Sequence, residues 1–234
     1  TMNNKKDELN QFLLDNDVDI ILGSETHLTQ AINNSEIFHP TYTAYRCDRY
    51  DGYGGAIIIT KRSLIVEEIE IKDRKSEIVA IKIESLHKPV ILVSCYRPPY
   101  RTLTEPIFQD ILKIEKKYRN NPIWIGGDFN LPDIDWNTKS IVRNHYPLAI
   151  NQSFLDTLDT CGVEQIVGFN TRKNSILDLF ITNRPTFLER CSPIPGFGDH
   201  DTAILVDVIC QQKYCKPSPR KVYMWKRVNM DILR

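Results

Sequence analysis

The sequence lacks the features that assign a chain to several common functional classes. Lysine plus arginine and aspartate plus glutamate each number 30, so there is no overall basic charge of the kind that attracts nucleic acid. No Walker A, GxGxxG or HExxH motif is present, which leaves nucleotide-cofactor enzymes and zinc proteases without support. There is also no run of about 18 apolar residues, so the sequence predicts no membrane span.

Cysteine and histidine are present but unorganised. The six cysteines form no CxxC pair and no compact framework, and the five histidines have no zinc-ligand spacing. Two of the cysteines lie within strand-like apolar runs, where cysteine behaves as a small hydrophobic residue. We interpret them as reduced thiols of an intracellular protein without a zinc site.

Charge is uneven along the chain even though it balances overall. Residues 213–234 hold seven basic residues and one acid, which leaves 23 basic and 29 acidic residues before them. We interpret residues 1–212 as one acidic domain and residues 213–234 as a basic linker to a further region of a longer polyprotein. An ordinary solvated segment is the alternative for this tail. An acidic domain that acts on a polyanion needs bound cations or local basic loops.

Seven apolar segments predict β-strands, and residues 89–96 are apolar enough to lie in the centre of a sheet. The segments are residues 18–22, 54–60, 76–85, 89–96, 123–125, 176–182 and 202–209.

Three amphipathic segments predict helices between some of these strands. The first begins at an N-cap formed by Asn3 or Asn4, the second at Thr104 with Pro106 in its first turn, and the third spans residues 145–161. Strands in runs, with helices between some of them and no strict βαβ repeat, indicate an α/β (α+β) fold of two packed sheets flanked by helices.

Residues 29–53 are predicted to be irregular, with aromatic and basic side chains interleaved. Tyr42, Tyr45, Arg46, Arg49 and Tyr50 alternate there in a way that suits stacking on bases and contact with phosphates. Tyrosines packed beneath a long loop are the structural alternative.

The stretch PIWIGGDFNLPDIDW, residues 122–136, combines a short buried strand with a polar cluster. Gly126 and Gly127 allow a sharp turn or a close approach of the backbone, and Asp128 and Asn130 follow directly. In open α/β sheets such strand ends are where ligands bind. Ordinary turn chemistry is the competing interpretation.

Four further motifs place polar residues at or within predicted strands. SETHL carries Glu25, YRPP carries Tyr96, SILDLF carries Asp178, and GDHD carries Asp199 and His200. Carboxylates, an amide, a tyrosine and a histidine are the groups that phosphodiester hydrolysis requires. A buried Asp178 without a partner would cost several kcal/mol, so a partner is expected.

The ordered set SETHL, YRPP, GDFNLPDIDW, NSILDLFITN and GDHD resembles the endonuclease/exonuclease/phosphatase superfamily. It is most similar to the endonuclease domain of non-LTR (LINE-type) retrotransposons, over residues 3–210. The resemblance implies a four-layer sandwich of two mixed sheets between helices. It also implies that the family's first strand, which carries an asparagine, is missing from the start of this chain.

The resemblance implies a role for each matching residue. Glu25 and Asp199 are expected to bind a divalent metal, Mg²⁺ with Mn²⁺ as the alternative, and an oxygen ligand set suits both ions. The catalytic roles fall to five residues: Tyr96 on the phosphate, Asp128 and Asn130 on the attacking water and phosphate, and His200 oriented by Asp178.

The same resemblance implies DNA as the partner. The hairpin of residues 171–175 is expected to enter a groove, with Thr171, Arg172, Lys173 and Ser175 as contacts, and Arg97 is either a further phosphate contact or a salt-bridge residue. The implied activity is nicking of target DNA to leave a 3′-hydroxyl for a downstream reverse transcriptase, within the nucleus.

Two alternatives use the same residues differently. A phosphatase or small-molecule phosphodiesterase of the superfamily would keep the metal residues, whereas a catalytically silent nucleic-acid-binding relic would keep only the fold. A plasmid-nicking assay distinguishes them from an active endonuclease.

Overall fold

The computed structural model describes residues 2–99, 106–196 and 202–211. These residues form four α-helices: α1 Lys6–Asp15, α2 Asn34–Ile37, α3 Pro106–Tyr118 and α4 Leu148–Cys161. The strands are β1 Ile20–Ser24, β2 Tyr42–Cys47, β3 Ala56–Lys61, β4 Val66–Glu68, β5 Glu77–Ile83, β6 Val90–Tyr96, β7 Ile123–Asp128, β8 Ile134–Asp135, β9 Ser140–Ile141, β10 Glu164–Gln165, β11 Asp178–Thr182, β12 Leu188–Pro195 and β13 Thr202–Val208.

Most strands belong to two sheets of unequal size. The small sheet has the order β1-β3-β2 and is antiparallel. The large sheet has the order β10-β11-β7-β6-β5-β4, and β6 and β7 are its parallel pair. The strands β12 and β13 form a separate two-stranded ribbon, as do β8 and β9.

The layers follow from the alternation of side chains along β6, which is buried on both faces. Val93 and Cys95 belong to the core beneath α3 and α4, whereas Val90 and Leu92 belong to the core shared with the small sheet. A third core packs α1 and α2 on the outer face of the small sheet. The order helix, sheet, sheet, helix confirms the predicted sandwich.

Phe154 of α4 fixes the loop that follows β7. Its ring lies 4.9 Å from the rings of both Phe108 in α3 and Phe129 in the loop, and Trp136 meets it edge-on at 6.1 Å. Burying one such side chain contributes about 1.5–3 kcal/mol.

None of the described helices is long and apolar enough to cross a membrane.

Several predicted elements differ from the observed ones. Asn3 and Asn4 lie in a short 3-10 helix, and α1 begins after Lys5 without a side-chain cap. Residues 29–53 are not all irregular, since they contain α2 and β2. The strand β12 has no counterpart among the predicted strands. It contains Pro193 and Pro195, which a two-stranded ribbon tolerates at its edge. Thr104 and the basic tail lie outside the described residues.

Gly127 is required where β7 bends toward its last residue. Its φ of +143° is a conformation that residues with a Cβ avoid, and a Cβ there would lie 1.8 Å from the carbonyl oxygen of Cys95 on β6. Its neighbour Gly126 faces Leu22 of the small sheet, where a Cβ would lie 2.8 Å from Cδ1. The predicted close approach at this glycine pair is confirmed.

We expect Gly127→Ala to lower the free energy of unfolding by about 3 kcal/mol or more, because the added Cβ collides with backbone in a disfavoured conformation. Gly168→Ala is the matched control, since nothing lies within 4 Å of a Cβ built there and no positive φ is involved. Urea denaturation followed by circular dichroism gives the comparison. Equal midpoints for the two variants would contradict the assigned constraint.

Candidate active site

Four polar residues stand side by side across the large sheet. Glu77 of β5 pairs with Tyr96 of β6, Tyr96 pairs with Asp128 of β7, and Asp128 pairs with Asp178 of β11. Residues paired in register point to the same face of a sheet. We call Glu77, Tyr96, Asp128 and Asp178 the polar row.

The polar row points toward the small sheet. On the same four strands, residues two or four positions from its members lie on the same face. These residues are Val79, Leu92, Trp124 and Phe180, and all belong to the core between the two sheets. The row therefore forms the polar rim of that apolar interface. Its position is the strand end at which the sequence predicted a site.

Glu25 joins the row from the opposite sheet. It follows β1 directly, with a φ of +51°, and its Oε1 accepts a hydrogen bond of 2.6 Å from the Tyr96 hydroxyl. His27 and Asn130 also have positive φ, which is uncommon for residues with a Cβ and concentrates at functional sites. The structure thus brings Glu25, Tyr96, Asp128 and Asp178 together at one rim.

Tyr96 is held in its neutral, hydrogen-donating form. Burial raises the pKa of Tyr96, and the negative carboxylates of Glu25, Asp128 and Glu77 raise it further. The phenol therefore keeps its proton at neutral pH and donates to Glu25.

Asn130 is held by one hydrogen bond from its side chain and one from its backbone N–H. Its side-chain Nδ2 donates to the carbonyl oxygen of Arg97 at 2.9 Å, and its own N–H donates to Asp128 Oδ1 at 2.9 Å. Asp128 and Asn130, predicted as a pair, are thus directly linked.

Arg97 supports the same loop from inside. Its side chain is 1% exposed, one guanidinium nitrogen donates to the carbonyl oxygen of Asn130 at 3.2 Å, and the guanidinium lies 4.7 Å from the ring centroid of Tyr146. A buried guanidinium is not available to DNA in this conformation. Arg97 therefore leaves the set of proposed phosphate contacts and becomes a loop-positioning residue.

Asp133 belongs to the polar cluster of residues 122–136, and the structure gives it a supporting role that the sequence did not reveal. It is fully buried, and its carboxylate accepts from the backbone N–H groups of His145 and Tyr146 and from the side chain of Asn151, at 2.7–3.0 Å. These bonds hold residues 142–146 against the loop after β7. The partners lie 12 to 18 residues further along, which no local pattern indicates.

Thr171 positions the start of β11. Its side chain is 0% exposed, and its hydroxyl accepts from the N–H groups of Leu177 and Asp178 at 3.0 Å each. Like Arg97, Thr171 therefore leaves the set of predicted DNA contacts because burial removes it from the surface. Ser175 is half-buried and accepts from Arg143 at 3.1 Å, whereas Arg172 and Lys173 are exposed at the hairpin tip.

Glu77 is the second member of the site that sequence reasoning missed. It is buried, and its Oε2 accepts from the N–H of Gly55 at 2.6 Å while Arg49 lies 3.6 Å from Oε1. An acid at the first residue of a strand is common on surfaces, so only its register with Tyr96 reveals its place.

The donor set fits a hard divalent cation better than zinc. Glu25 supplies carboxylate oxygens at the rim, and Mg²⁺ keeps several waters while needing only one or two carboxylates. In the described ranges no group of three or more His, Cys, Asp or Glu is arranged to hold a metal. Asp199 and His200 lie outside the described residues, so the second ligand and the pairing of His200 with Asp178 stay predictions.

The chain matches the family described as Endonuclease-reverse transcriptase over residues 90–204. It is 24% identical over 182 residues to the RNA-directed DNA polymerase from mobile element jockey of Drosophila funebris. That match covers 76% of this chain and 19% of the relative, so the chain spans about a fifth of that protein.

Solved structures share the fold. The endonuclease domain of TRAS1, a telomere-specific non-LTR retrotransposon, has a TM-score of 0.67 at 17% identity, covering 88% of this chain and 92% of that one. A 3′-5′ exonuclease from Neisseria meningitidis has a TM-score of 0.63 at 12% identity, and an AP endonuclease from Archaeoglobus fulgidus 0.61 at 14%. Both matches cover 89% of this chain and 96% of the other.

Tyr96 also gives a prediction for stability against pH. An unfolded tyrosine loses its proton at about pH 10. The folded Tyr96 keeps its proton to higher pH, so above about pH 10 folding is accompanied by the uptake of a proton. The free energy of unfolding should therefore fall as pH rises above about 10. The fall should be steeper in the wild type than in Tyr96→Phe, by up to about 1.4 kcal/mol per pH unit.

Urea titrations from neutral pH to about pH 11 measure this difference, since they cross the pKa of an ordinary tyrosine. Other tyrosines with raised pKa, such as Tyr42 and Tyr146, are common to both proteins and cancel. Parallel curves throughout would show that Tyr96 ionises normally.

Proposed function

We propose that this chain, which belongs to the endonuclease/exonuclease/phosphatase superfamily, uses a divalent metal to nick DNA as the endonuclease domain of a non-LTR retrotransposon. The observation that carries the proposal is the meeting of Glu25 from one sheet with Tyr96, Asp128 and Asp178 from the other. The family match and the shared fold support it.

Each group has a role in hydrolysis. Water attacks phosphorus, a new P–O bond forms, and the P–O3′ bond breaks to leave a 3′-hydroxyl and a 5′-phosphate. Asp128 accepts the proton of the attacking water, and its geometry is fixed by the N–H of Asn130. Tyr96, kept neutral, donates its single O–H to the Glu25 carboxylate in the free protein, and it would turn that O–H to a phosphate oxygen when substrate is present.

Glu25, with Asp199 as the second carboxylate, would hold the metal. Bound there, Mg²⁺ would polarise the phosphate and offset the negative charge of the site. We propose that Asp178 orients His200, which would return a proton to the leaving O3′.

The relatives support a proposal about the biological setting. We propose that a reverse transcriptase domain follows this one in the same polyprotein, that the nick supplies its primer, and that both act in the nucleus. The Drosophila relative, named as an RNA-directed DNA polymerase, supports a setting of this kind.

A covalently closed plasmid is the discriminating substrate. Because a closed circle has no end, neither an exonuclease nor a phosphatase converts it to the relaxed form. We expect wild-type protein with Mg²⁺ to produce relaxed circles, EDTA to abolish them, and Glu25→Gln, Asp128→Asn and His200→Ala each to slow nicking by about a hundredfold or more.

The matched control is Glu164→Gln, an exposed acid of β10 paired with Thr182 at the opposite end of β11. It should nick at the wild-type rate. Nicking that persists in EDTA and in the three site variants would refute the mechanism. Absence of nicking by folded wild-type protein would favour the silent relic.

The exposed hairpin gives a separate prediction about affinity. Arg172→Ala and Lys173→Ala should weaken binding to duplex DNA and lower the slope of log affinity against log salt by about one each, because each cation releases about one counterion from a phosphate. Fluorescence anisotropy in EDTA measures both quantities. Lys88→Ala, exposed in the turn at the far end of β5 and β6, is the control, and an unchanged slope in the hairpin variants would exclude phosphate contact there.

A further inference from the structure

Two tyrosines stand exposed beside the candidate site. They belong to residues 48–55, which connect β2 to β3 and which we call the tyrosine loop. Tyr50 is fully exposed and Tyr53 is 70% exposed. The other tyrosines predicted to stack, Tyr42 and Tyr45, are respectively buried and half-buried in β2.

The tyrosine loop is held by its own contacts. Arg49 forms an ion pair of 2.5 Å with Asp51, and the N–H of Tyr53 donates to Asp51 Oδ1 at 3.1 Å. A turn bond of 3.2 Å joins the N–H of Gly52 to the carbonyl of Arg49. The exposed rings are therefore carried by a backbone that is fixed at several points.

The segment after Glu25 anchors the loop from one side. The N–H of His27 donates to the carbonyl of Gly54 at 2.9 Å, and its Nδ1 lies 3.2 Å from the carbonyl oxygen of Gly52. The His27 ring meets Tyr53 edge-on with centroids 6.1 Å apart. The position of Tyr53 is thus coupled to the residue two places beyond Glu25.

The polar row anchors the loop from the other side. Glu77 accepts from the N–H of Gly55, and Gly54 packs so closely that a Cβ would lie 2.5 Å from Glu77 Oε2 and 2.9 Å from Tyr96 Cε1. With a φ of +95°, Gly54 has the conformation this approach needs. The loop backbone is in contact with the residue that bonds Glu25.

The chemistry of the loop favours bases over phosphates. Its eight residues include two acidic residues, Asp48 and Asp51. The one basic residue, Arg49, is paired with Asp51 and Glu77. A polyanion backbone gains little from such a segment. Aromatic faces, by contrast, stack on every nucleobase, and their removal weakens binding by about 5- to 150-fold per base.

We propose that Tyr50 and Tyr53 form a stacking surface for unpaired DNA bases next to the phosphate bound at the polar row. The proposal rests on the proposed function for its DNA substrate. The strand that is cut would lie with its phosphate at Glu25 and Tyr96 and with adjacent bases turned out onto the two rings. The surface would thereby favour sites where the duplex opens readily.

Binding in EDTA separates this inference from catalysis. The probes are a short fluorescein-labelled single-stranded DNA and the same strand in a fully paired duplex, titrated with the whole chain at low and moderate salt. We expect Tyr50→Ala and Tyr53→Ala each to raise Kd for the single strand by about fivefold or more. The factor should be the same at both salt concentrations, because stacking releases no counterions.

Conservative and remote variants complete the design. Tyr50→Phe and Tyr53→Phe keep the ring and should bind within about twofold of wild type, since stacking needs no hydroxyl. Ile65→Ala, a 64% exposed apolar residue before β4 at the opposite end of the sheet, should have no effect. Thermal melting checks that every variant is folded.

Three outcomes would overturn the stacking surface. They are wild-type affinity for the single strand in both alanine variants, a loss of affinity in the phenylalanine variants equal to that in the alanine variants, and an equal loss of affinity for the duplex. If the alanine variants lose affinity while the wild type never nicks a plasmid, the stacking surface stands and the nicking function falls. If the wild type nicks while the alanine variants bind normally, only the stacking surface falls.

Discussion

The hydrogen bond from Tyr96 to Glu25 is the contact on which the site depends, because it joins the rims of two different sheets. It needs the sheets to approach closely, and two further contacts secure that approach. Ser94 donates to the carbonyl of Gly23 at 2.8 Å, and Gly126 leaves space for Leu22. If either sheet shifted, Glu25 would lose its place beside the polar row. The apolar core between the sheets therefore sets the geometry of the charged rim.

The sequence predicted well what local pattern encodes. Apolar runs located the strands, and polar residues at their ends located Glu25, Tyr96 and Asp128, because a strand ends where its burial ends. It could not predict the roles of Glu77 and Thr171. Both depend on partners distant along the chain, the register with β6 for one and two backbone N–H groups for the other. For Arg97 the sequence left a phosphate contact and a salt bridge open, since an arginine at a strand end gives no sign that it folds inward.

The shared fold does not by itself choose a substrate. An exonuclease and an AP endonuclease share the fold of this chain at only 12–14% sequence identity. In such folds the scaffold is retained while loops determine what binds. Here the tyrosine loop and the hairpin of residues 171–175 occupy opposite ends of the polar row, one beside Glu77 and one beside Asp178. Under the proposed function, a nucleic-acid strand would pass between these two segments.

The polar row also has a consequence for the protein during its synthesis. Glu25 and Tyr96 are 71 positions apart, and Asp178 comes from a strand formed much later in the chain. A ribosome-bound fragment that ends before β11 holds the early residues without the late ones, and its large sheet lacks the neighbour that borders β7. The row is therefore complete only late in synthesis, once β11 has emerged and paired with β7.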